Sequence, residues 1–371
     1  MPVKSVALLP HCPTPADTGG KAETWKHLEV LRELGSCEIL SAATKPVGAG
    51  WAAKQRRDIE ARGFGVRLRE EECRRSLIQW GGIGYAAFCK ALRLEKAFGH
   101  SNPYHRQAFA PEWWARRTAG ADLAVVFYSY WAWLPCACPK VVVLLDLWSD
   151  VMRWWNGREI EDLRTAQLVV VISRDEESKL QASGIERTLW SPPLVEPAVL
   201  PDSGRVGLVG SRSLSNLEGL RWLEQAAAAP AEPISVYGGL AAGARAPFLR
   251  AVGRYDDRYT PYRDCGVILM PTSEGMGVQI KAVEALACGR AIVARRGAMR
   301  GLPPSDTAWI EVSTPQDMIE AADRLNRDAA ARSRLSAAAR EYYHRHLDHR
   351  VILATLREAY SRVARAGVHR G

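Results

Sequence analysis

Short hydrophobic segments alternate with longer amphipathic segments along the whole chain. In the first half, apolar runs rich in valine and leucine predict strands over 5–9, 38–41, 66–68, 123–127, 141–145 and 168–172. In the second half, similar runs predict strands over 205–209, 234–237, 267–270, 291–294 and 309–312. Strands that alternate with helices are typical of a parallel sheet covered by helices on both faces.

The segments between these strands predict helices, because their apolar residues recur with a helical period. The predicted helices cover 20–34, 51–62, 74–96, 104–118, 149–165, 174–183, 216–228, 278–288, 315–328 and 330–346. A last helix over 348–366 places Ile352, Leu356, Tyr360 and Val363 on one stripe. That stripe must be buried, and we expect it to pack against the first domain.

A proline-rich stretch over 191–204 separates the two halves and suits a hinge, since proline resists both helices and central strands. With 371 residues the chain is too long for one compact core. We predict an α/β protein with two doubly wound Rossmann-like domains, 1–195 and 196–345, and a segment 346–371 that crosses back to the first domain. Domains of this kind bind ligands at the carboxyl ends of their strands, so we expect a ligand cleft between them.

The composition is that of an ordinary soluble globular protein, with 47% hydrophobic and 25% charged residues. No apolar run approaches the roughly 20 residues that span a bilayer, and residues 1–10 suit a core strand better than a signal peptide. Eight thinly spread cysteines favour a reduced, cytoplasmic protein. The net charge of +9 is compatible with peripheral contact to an anionic membrane, with nucleic acid, or simply with solubility.

Residues 270–294 contain the most informative pattern, which reads as strand end, glycine loop, helix, glycine and strand. Gly275 and Gly277 leave room for a ligand to approach the backbone. We predict that the helix begins near Val278, so that the free amide groups around Gln279 attract an anion. Lys281 lies in the first two turns of this helix and is predicted to bind phosphate. Glu284 is predicted to bind ribose or sugar hydroxyls.

Each domain is also predicted to place a glycine loop after its first strand. In the second domain, residues 210–215 contain Gly210 and Ser211 and can aim backbone amides and Arg212 at a ligand, with Asn216 just beyond. The same pattern occurs in any strand–helix turn of a doubly wound domain. In the first domain, Gly19 and Gly20 can line the opposite wall of the cleft.

Polar and aromatic residues of the first half are candidates for acceptor binding. Asp17 and Lys21 flank the first glycine loop and either touch the substrate or are solvated. Asp146 follows a predicted strand, where it can contact an acceptor or a metal, and Trp148 lies next to it. The sequence Cys136-Ala-Cys138 lacks a second ligand pair at metal spacing, so we predict no metal site there.

Two tryptophan pairs are also candidates for ligand contact. They are Trp113-Trp114 and Trp154-Trp155, each next to arginine. Neighbouring indole rings are hard to bury together, so these pairs are candidates for stacking on sugar rings or bases, or for contact with a membrane interface. The alternative is that they belong to the core.

These motifs together resemble the family-4 retaining glycosyltransferases of the GT-B fold. The resemblance is most specific over 206–220, 252–254, 262–271 and 275–289, and looser over 13–34 and 166–173. It implies a nucleotide-sugar donor in the second domain, an acceptor in the first, retention of the anomeric configuration, and no bound metal or cofactor. Glu284 matches the glutamate that usually holds ribose hydroxyls, and Gly277 with the amides after it matches the diphosphate site.

The sequence departs from the family pattern at several positions. Met276 occupies the place of the family's first glutamate, two residues after Glu274. Ser211 and Asn216 occupy the places of two basic residues in the first loop, so Arg212 and Lys281 are the candidates for that charge.

We therefore predict a retaining glycosyltransferase with Arg212, Lys281 and Glu284 as its catalytic residues. The donor would be a UDP- or GDP-linked sugar. The acceptor would be a hydroxyl of a glycan or lipid-linked saccharide, in the synthesis of cell-surface polysaccharides or glycoconjugates. Three alternatives remain open: a glycosyltransferase acting on a modified nucleic-acid base, a nucleotide-sugar epimerase, and a non-catalytic binding protein.

Overall fold

The computed structural model describes residues 2–16, 19–42, 51–72, 111–147, 156–273, 275 and 277–368. Two compact units divide the chain: Met1–Ser191 with Ile352–Gly371 form one, and Pro192–Val351 form the other. Asp17, Trp148, Glu274 and Met276, together with the Trp154-Trp155 pair and the predicted helix over 74–96, lie outside the described residues.

The described strands of the first unit form a seven-stranded parallel sheet. They are β1 Val3–Leu8, β2 Gly35–Ser41, β3 Gly65–Leu68, β4 Leu123–Phe127, β5 Lys140–Leu144, β6 Leu168–Val171 and β7 Thr188–Trp190. Their order is β3-β2-β1-β4-β5-β6-β7. The strand order reverses between β1 and β4, and ligands of doubly wound sheets bind at the carboxyl edge of such a switch point.

The second unit repeats this design with six parallel strands. They are β8 Val206–Val209, β9 Ile234–Tyr237, β10 Leu249–Gly253, β11 Val267–Met270, β12 Ala291–Arg295 and β13 Ile310–Val312. The order β10-β9-β8-β11-β12-β13 reverses between β8 and β11. The prediction of two doubly wound α/β domains is confirmed.

The described helices are α1 Gly19–Leu34, α2 Ala53–Glu60, α3 Arg69–Glu72, α4 Pro111–Thr118, α5 Asn156–Arg164, α6 Arg174–Ala182, α7 Leu214–Leu223, α8 Thr260–Asp264, α9 Ile280–Ala287, α10 Pro315–Arg327, α11 Ala329–His346 and α12 His349–Val368. Two short 3-10 helices cover Ser129–Trp131 and Gly238–Gly243. No helix among these has the length and apolar character that a bilayer crossing requires.

Several element boundaries differ from the predicted ones. Helix α7 begins two residues early, because the Ser213 hydroxyl accepts a hydrogen bond from the Asn216 amide (3.2 Å) and caps the helix. Strand β2 begins at Gly35 instead of residue 38. A side chain at Gly35 would collide with the backbone of Val3, so glycine permits this close pairing.

Four short elements were absent from the prediction: β7, β10, α3 and α8. Both strands lie at a sheet edge. Strand β10 exposes three of its five residues, and none of the residues of β7 is fully buried. Edge strands therefore lack the continuous apolar run by which buried parallel strands are recognised in sequence.

The Trp113-Trp114 pair lies in the core of the first unit, which is the alternative that the sequence left open. Both side chains are at most 1% exposed. They pack with residues of β1, β4 and β5, and the Trp114 indole donates to the Cys136 sulfur (3.1 Å). An indole N–H that finds a buried partner can be placed inside a core.

Helix α12 belongs to the first unit from Ile352 onward. Leu356 and Tyr360 are fully buried there. The Tyr360 hydroxyl lies 2.6 Å from His27 Nδ1 on α1, and the other imidazole nitrogen faces Glu23. Glu23 also pairs with Lys26, which donates to the hydroxyl of Ser191 (2.9 Å).

We expect Tyr360→Phe to lower the stability of the first unit by about 1–3 kcal/mol, because it leaves the buried His27 nitrogen without its hydroxyl partner. Denaturant unfolding followed by far-ultraviolet circular dichroism measures this. Tyr342→Phe in α11 is the matched control, since its hydroxyl donates to the Pro303 carbonyl in the second unit. A Tyr360→Phe protein as stable as the parent would show that the hydrogen bond between the phenol and the imidazole does not contribute to the free energy of unfolding.

Candidate active site

Two loops of the second unit meet at the carboxyl edge of its switch point: residues 210–213 after β8 and 271–279 after β11. The Gly210 amide donates to the Tyr237 carbonyl (3.2 Å). A side chain on Gly210 would lie 3.1 Å from the Asn216 amide nitrogen, so glycine lets the first loop pack closely on α7. Both loops begin directly after fully buried strands.

Helix α9 begins at Ile280, two residues later than predicted, and Gln279 is its N-cap residue. The Gln279 side-chain amide donates to the carbonyls of Thr272 (2.8 Å) and Ala298 (2.6 Å), which holds this residue extended ahead of the helix. The Gln279 side chain does not cap the helix, and no other side chain of the described residues is seen to do so. The Ala282 and Val283 amides donate to the Gln279 carbonyl (2.9 and 3.4 Å), so the amides of Ile280 and Lys281 are the candidates for binding an anion at this helix end.

Two glycines precede this helix, Gly275 and Gly277, and both have a positive φ that favours glycine. Gly275 has φ +129° and is exposed, whereas Gly277 has φ +61° and is buried. Val278 is also buried, at 8% exposure. The open approach to the helix end therefore lies on the Gly275 side.

Lys281 joins the two loops from inside the site. Its ammonium group donates to the Asn216 side-chain oxygen (2.8 Å) and lies 3.4 Å from the Thr272 hydroxyl. The Asn216 amide nitrogen in turn donates to the Ser211 carbonyl (3.1 Å). Burial, with a smaller contribution from the positive charge of Arg300, lowers the pKa of Lys281 to about 7.

Glu284 lies one turn further along α9 with its side chain 15% exposed. One carboxylate oxygen accepts from Arg258 (2.8 Å), and the other accepts from the Tyr262 hydroxyl (2.6 Å). Burial and the nearby carboxylate raise the pKa of Tyr262, so the phenol stays a donor. The carboxylate is thus fixed in position, with capacity left for ligand hydroxyls, because each oxygen has more than one lone pair.

Arg212 is exposed in the loop after β8. Gly239, in the 3-10 helix Gly238–Gly243, packs against the backbone of Arg212. Two further arginines of the site, Arg258 and Arg300, were not predicted. A side chain on Gly275 would lie 2.5 Å from the Arg300 guanidinium, which also donates to the Ser273 carbonyl (3.3 Å). The available signal was the position of Arg300 after β12, which is the neighbour of β11.

We expect Glu284→Gln to weaken nucleoside diphosphate binding about tenfold to a hundredfold. Hydrogen bonds to a charged group contribute about 1.5–3 kcal/mol, and tenfold corresponds to about 1.4 kcal/mol. Titration calorimetry measures the affinity. Glu311→Gln on β13 is the control, since that carboxylate is exposed and pairs with Arg296. Equal affinities would mean that Glu284 serves only Arg258 and Tyr262.

Of the predicted acceptor residues, the structure describes Lys21 and Asp146, and both lie at one edge of the sheet of the first unit. Gly19 and Gly20 open α1, and Lys21 lies half-buried in its first turn. Asp146 follows β5 and is half-buried, and burial raises the pKa of its carboxyl to about 6. Within the described part of the chain, no group of three histidine, cysteine or acidic side chains is arranged to hold a metal ion.

Comparison with known proteins relates the second unit to a described family. Residues 212–358 match the family model described as glycosyl transferase-like. None of the curated proteins that were searched matches the chain. The match covers the second unit and extends into α12, and it includes Arg212, Lys281 and Glu284.

The fold is also shared with solved structures. HepE of Anabaena, solved in complex with UDP, has a TM-score of 0.67 at 12% identity and covers 96% of this chain and 99% of its own. Sucrose-phosphate synthase of Thermosynechococcus elongatus has a TM-score of 0.64 at 16% identity, over 98% of this chain and 100% of its own. A glycosyltransferase of Rickettsia africae has a TM-score of 0.62 at 11% identity, over 98% and 99%.

The fold is therefore that of the GT-B glycosyltransferases. The glycosyl transferase-like match over 212–358 agrees with this fold and supports glycosyltransferase activity.

Proposed function

We propose that this protein is a retaining glycosyltransferase that transfers a sugar from a UDP-linked donor to a hydroxyl of a saccharide acceptor. The observation that carries the proposal is the start of α9, which its N-cap residue Gln279 leaves without a side-chain cap, with Lys281 and Arg300 beside it. Backbone amides and two cations around one position suit the diphosphate of a nucleotide sugar.

Several neighbouring features support a nucleotide in this site. Glu284 is held by Arg258 and Tyr262 and can accept from ribose hydroxyls. HepE, which shares the fold, was solved with UDP and with UDP-glucose. UDP is therefore the first donor nucleotide to test, and GDP the second.

The proposed chemistry needs little from the protein beyond charge and position. The bond between the anomeric carbon and the phosphate oxygen breaks, and its electron pair stays on the phosphate. The acceptor hydroxyl adds to the same face of the sugar, and its proton passes to the departing phosphate oxygen. The amides of α9, Lys281 and Arg212 would stabilise the charge that develops on the leaving diphosphate.

The acceptor is proposed to bind the first unit, through Lys21 and Asp146 at the edge of its sheet. A glycan or a lipid-linked saccharide supplies hydroxyl groups that fit such a polar edge. Retention of the anomeric configuration is proposed from the resemblance of residues 275–289 to family-4 enzymes.

Incubation of the purified protein with UDP- and GDP-linked sugars and a panel of saccharide acceptors tests the proposal. We expect one donor to be consumed and a glycoside with the donor's own anomeric configuration to form, as read by proton NMR. Inversion of the anomeric carbon would contradict the retaining mechanism. An epimerised donor formed without acceptor would instead identify an epimerase, and thermal stabilisation by nucleotides without any turnover would identify a binding protein.

A further inference from the structure

Tyr128 has an unusual backbone conformation in the first unit. It follows β4 directly and has φ +69° and ψ +149°, a region that residues other than glycine rarely adopt. Among the residues described, it is the one non-glycine residue with positive φ. A costly conformation that is kept at a sheet edge points to a role for the side chain that it directs.

Neighbouring groups hold Tyr128 in place. Its amide donates to the Val143 carbonyl on β5 (2.8 Å). The next residue, Ser129, is buried and donates to the buried carboxylate of Glu159 on α5. These hydrogen bonds on Tyr128 and on the residue after it hold the backbone in the strained conformation.

The phenol of Tyr128 lies against Gly20 at the start of α1. A Cβ atom on Gly20 would be 3.3 Å from the Tyr128 hydroxyl, so the missing side chain makes room for the phenol. The His11 ring, which follows β1, packs edge-on against the Tyr128 ring at 6.4 Å. These residues follow β1 and β4, the two strands of the switch point, where ligands of such sheets bind.

Asp146 completes the group from the next strand. It lies between the buried Leu145 and Leu147, and the Leu147 amide donates to Glu176 (3.0 Å), which fixes this turn. Burial, followed by the negative charge of Asp146, raises the pKa of the Tyr128 phenol. A phenol that keeps its proton and a carboxyl group close enough to influence it are thus held at one half-buried edge.

We infer that Tyr128 and Asp146 together bind hydroxyl groups of a sugar ring. The phenol can donate and accept, the carboxylate accepts, and the aromatic face suits the C–H groups of a sugar. This inference rests on the proposed function, because a transferase of this kind handles two sugars: the acceptor and the donor's transferred sugar. Both present the same chemistry, and the experiment separates them.

Tyr128→Phe tests the inference, because it removes the hydroxyl and keeps the ring. We expect at least a tenfold loss of kcat/KM for transfer, with the affinity for free UDP unchanged, since the proposed nucleotide contacts lie in the second unit. A rise in the KM of the acceptor alone assigns the site to the acceptor. A loss of acceptor-independent donor hydrolysis assigns it to the transferred sugar.

Further variants separate binding from folding. Asp146→Asn should produce a similar loss, and the double variant should lose less than the product of the two single losses. Tyr128→Gly, which suits the positive φ, should fold and bind UDP while losing transfer. Tyr342→Phe is the control and should leave transfer unchanged.

Transfer within twofold of the parent protein in both Tyr128→Phe and Asp146→Asn would overturn the inference while the proposed function stands. If the parent protein transfers no sugar from any donor, both fail.

Discussion

Lys281→Met is expected to reduce turnover about 10²–10³-fold, the usual loss when one pre-positioned donor to a developing negative charge is removed. The Lys281 side chain is already positioned by contacts of its Nζ atom with Asn216 and Thr272 before any ligand binds. Lys281 is also the only lysine between residues 192 and 351, a region whose other basic residues are mostly arginine. Steady-state transfer assays with saturating acceptor measure the effect.

Two control variants sharpen this expectation. Lys54→Met changes an exposed lysine on α2 and should leave turnover unchanged. Lys281→Arg keeps a positive charge, but its longer and permanently charged group must enter a half-buried space shaped for an ammonium group. It should recover at most part of the lost rate. A Lys281→Met enzyme within threefold of the parent protein would refute a role for this lysine in stabilising the leaving group.

The fold could be predicted largely because central parallel strands are buried on both faces. All residues of β4 and β11 are buried, so each appears in the sequence as an unbroken apolar run. Strand β10 gives no such signal in the sequence. It lies at the edge of the sheet and is held there by its pairing with β9. The sequence left the place of the Trp113-Trp114 pair open, because it does not reveal that the Cys136 sulfur accepts a hydrogen bond from the Trp114 indole.

The site was predictable only where its chemistry is local. Gly275, Gly277 and Glu284 belong to one segment, and its glycine spacing already indicated a loop before a helix. The contact between Lys281 and Asn216 joins residues 65 positions apart, and the Arg258–Glu284 pair spans 26 positions. Such contacts depend on which loops meet at the switch point. The strained backbone of Tyr128 has no sequence signature either, since tyrosine is an ordinary residue at a strand end.

Binding of a nucleoside diphosphate is expected to take up a proton near pH 8, and the affinity should fall as the pH rises. In the unliganded protein, burial lowers the pKa of Lys281 from its ordinary value of 10.5 to about 7, so this lysine is largely neutral at pH 8. A diphosphate beside it stabilises the charged form and raises the pKa again. Between the two pKa values the complex therefore holds one more proton than the free protein. The affinity should then fall by up to tenfold per pH unit above 7.

Calorimetry at pH 8 in buffers of different ionisation enthalpy measures the uptake directly, because the observed binding enthalpy then varies linearly with that of the buffer. The phosphate itself contributes little at this pH, since its last pKa is near 6. Lys281→Met should bind with no uptake and with an affinity that is flat between pH 7.5 and 9. Arg212→Met should weaken binding and retain the uptake, because an arginine stays charged throughout this range. If the uptake persists in Lys281→Met, another group takes up the proton, and Lys281 is not the residue that responds to the diphosphate.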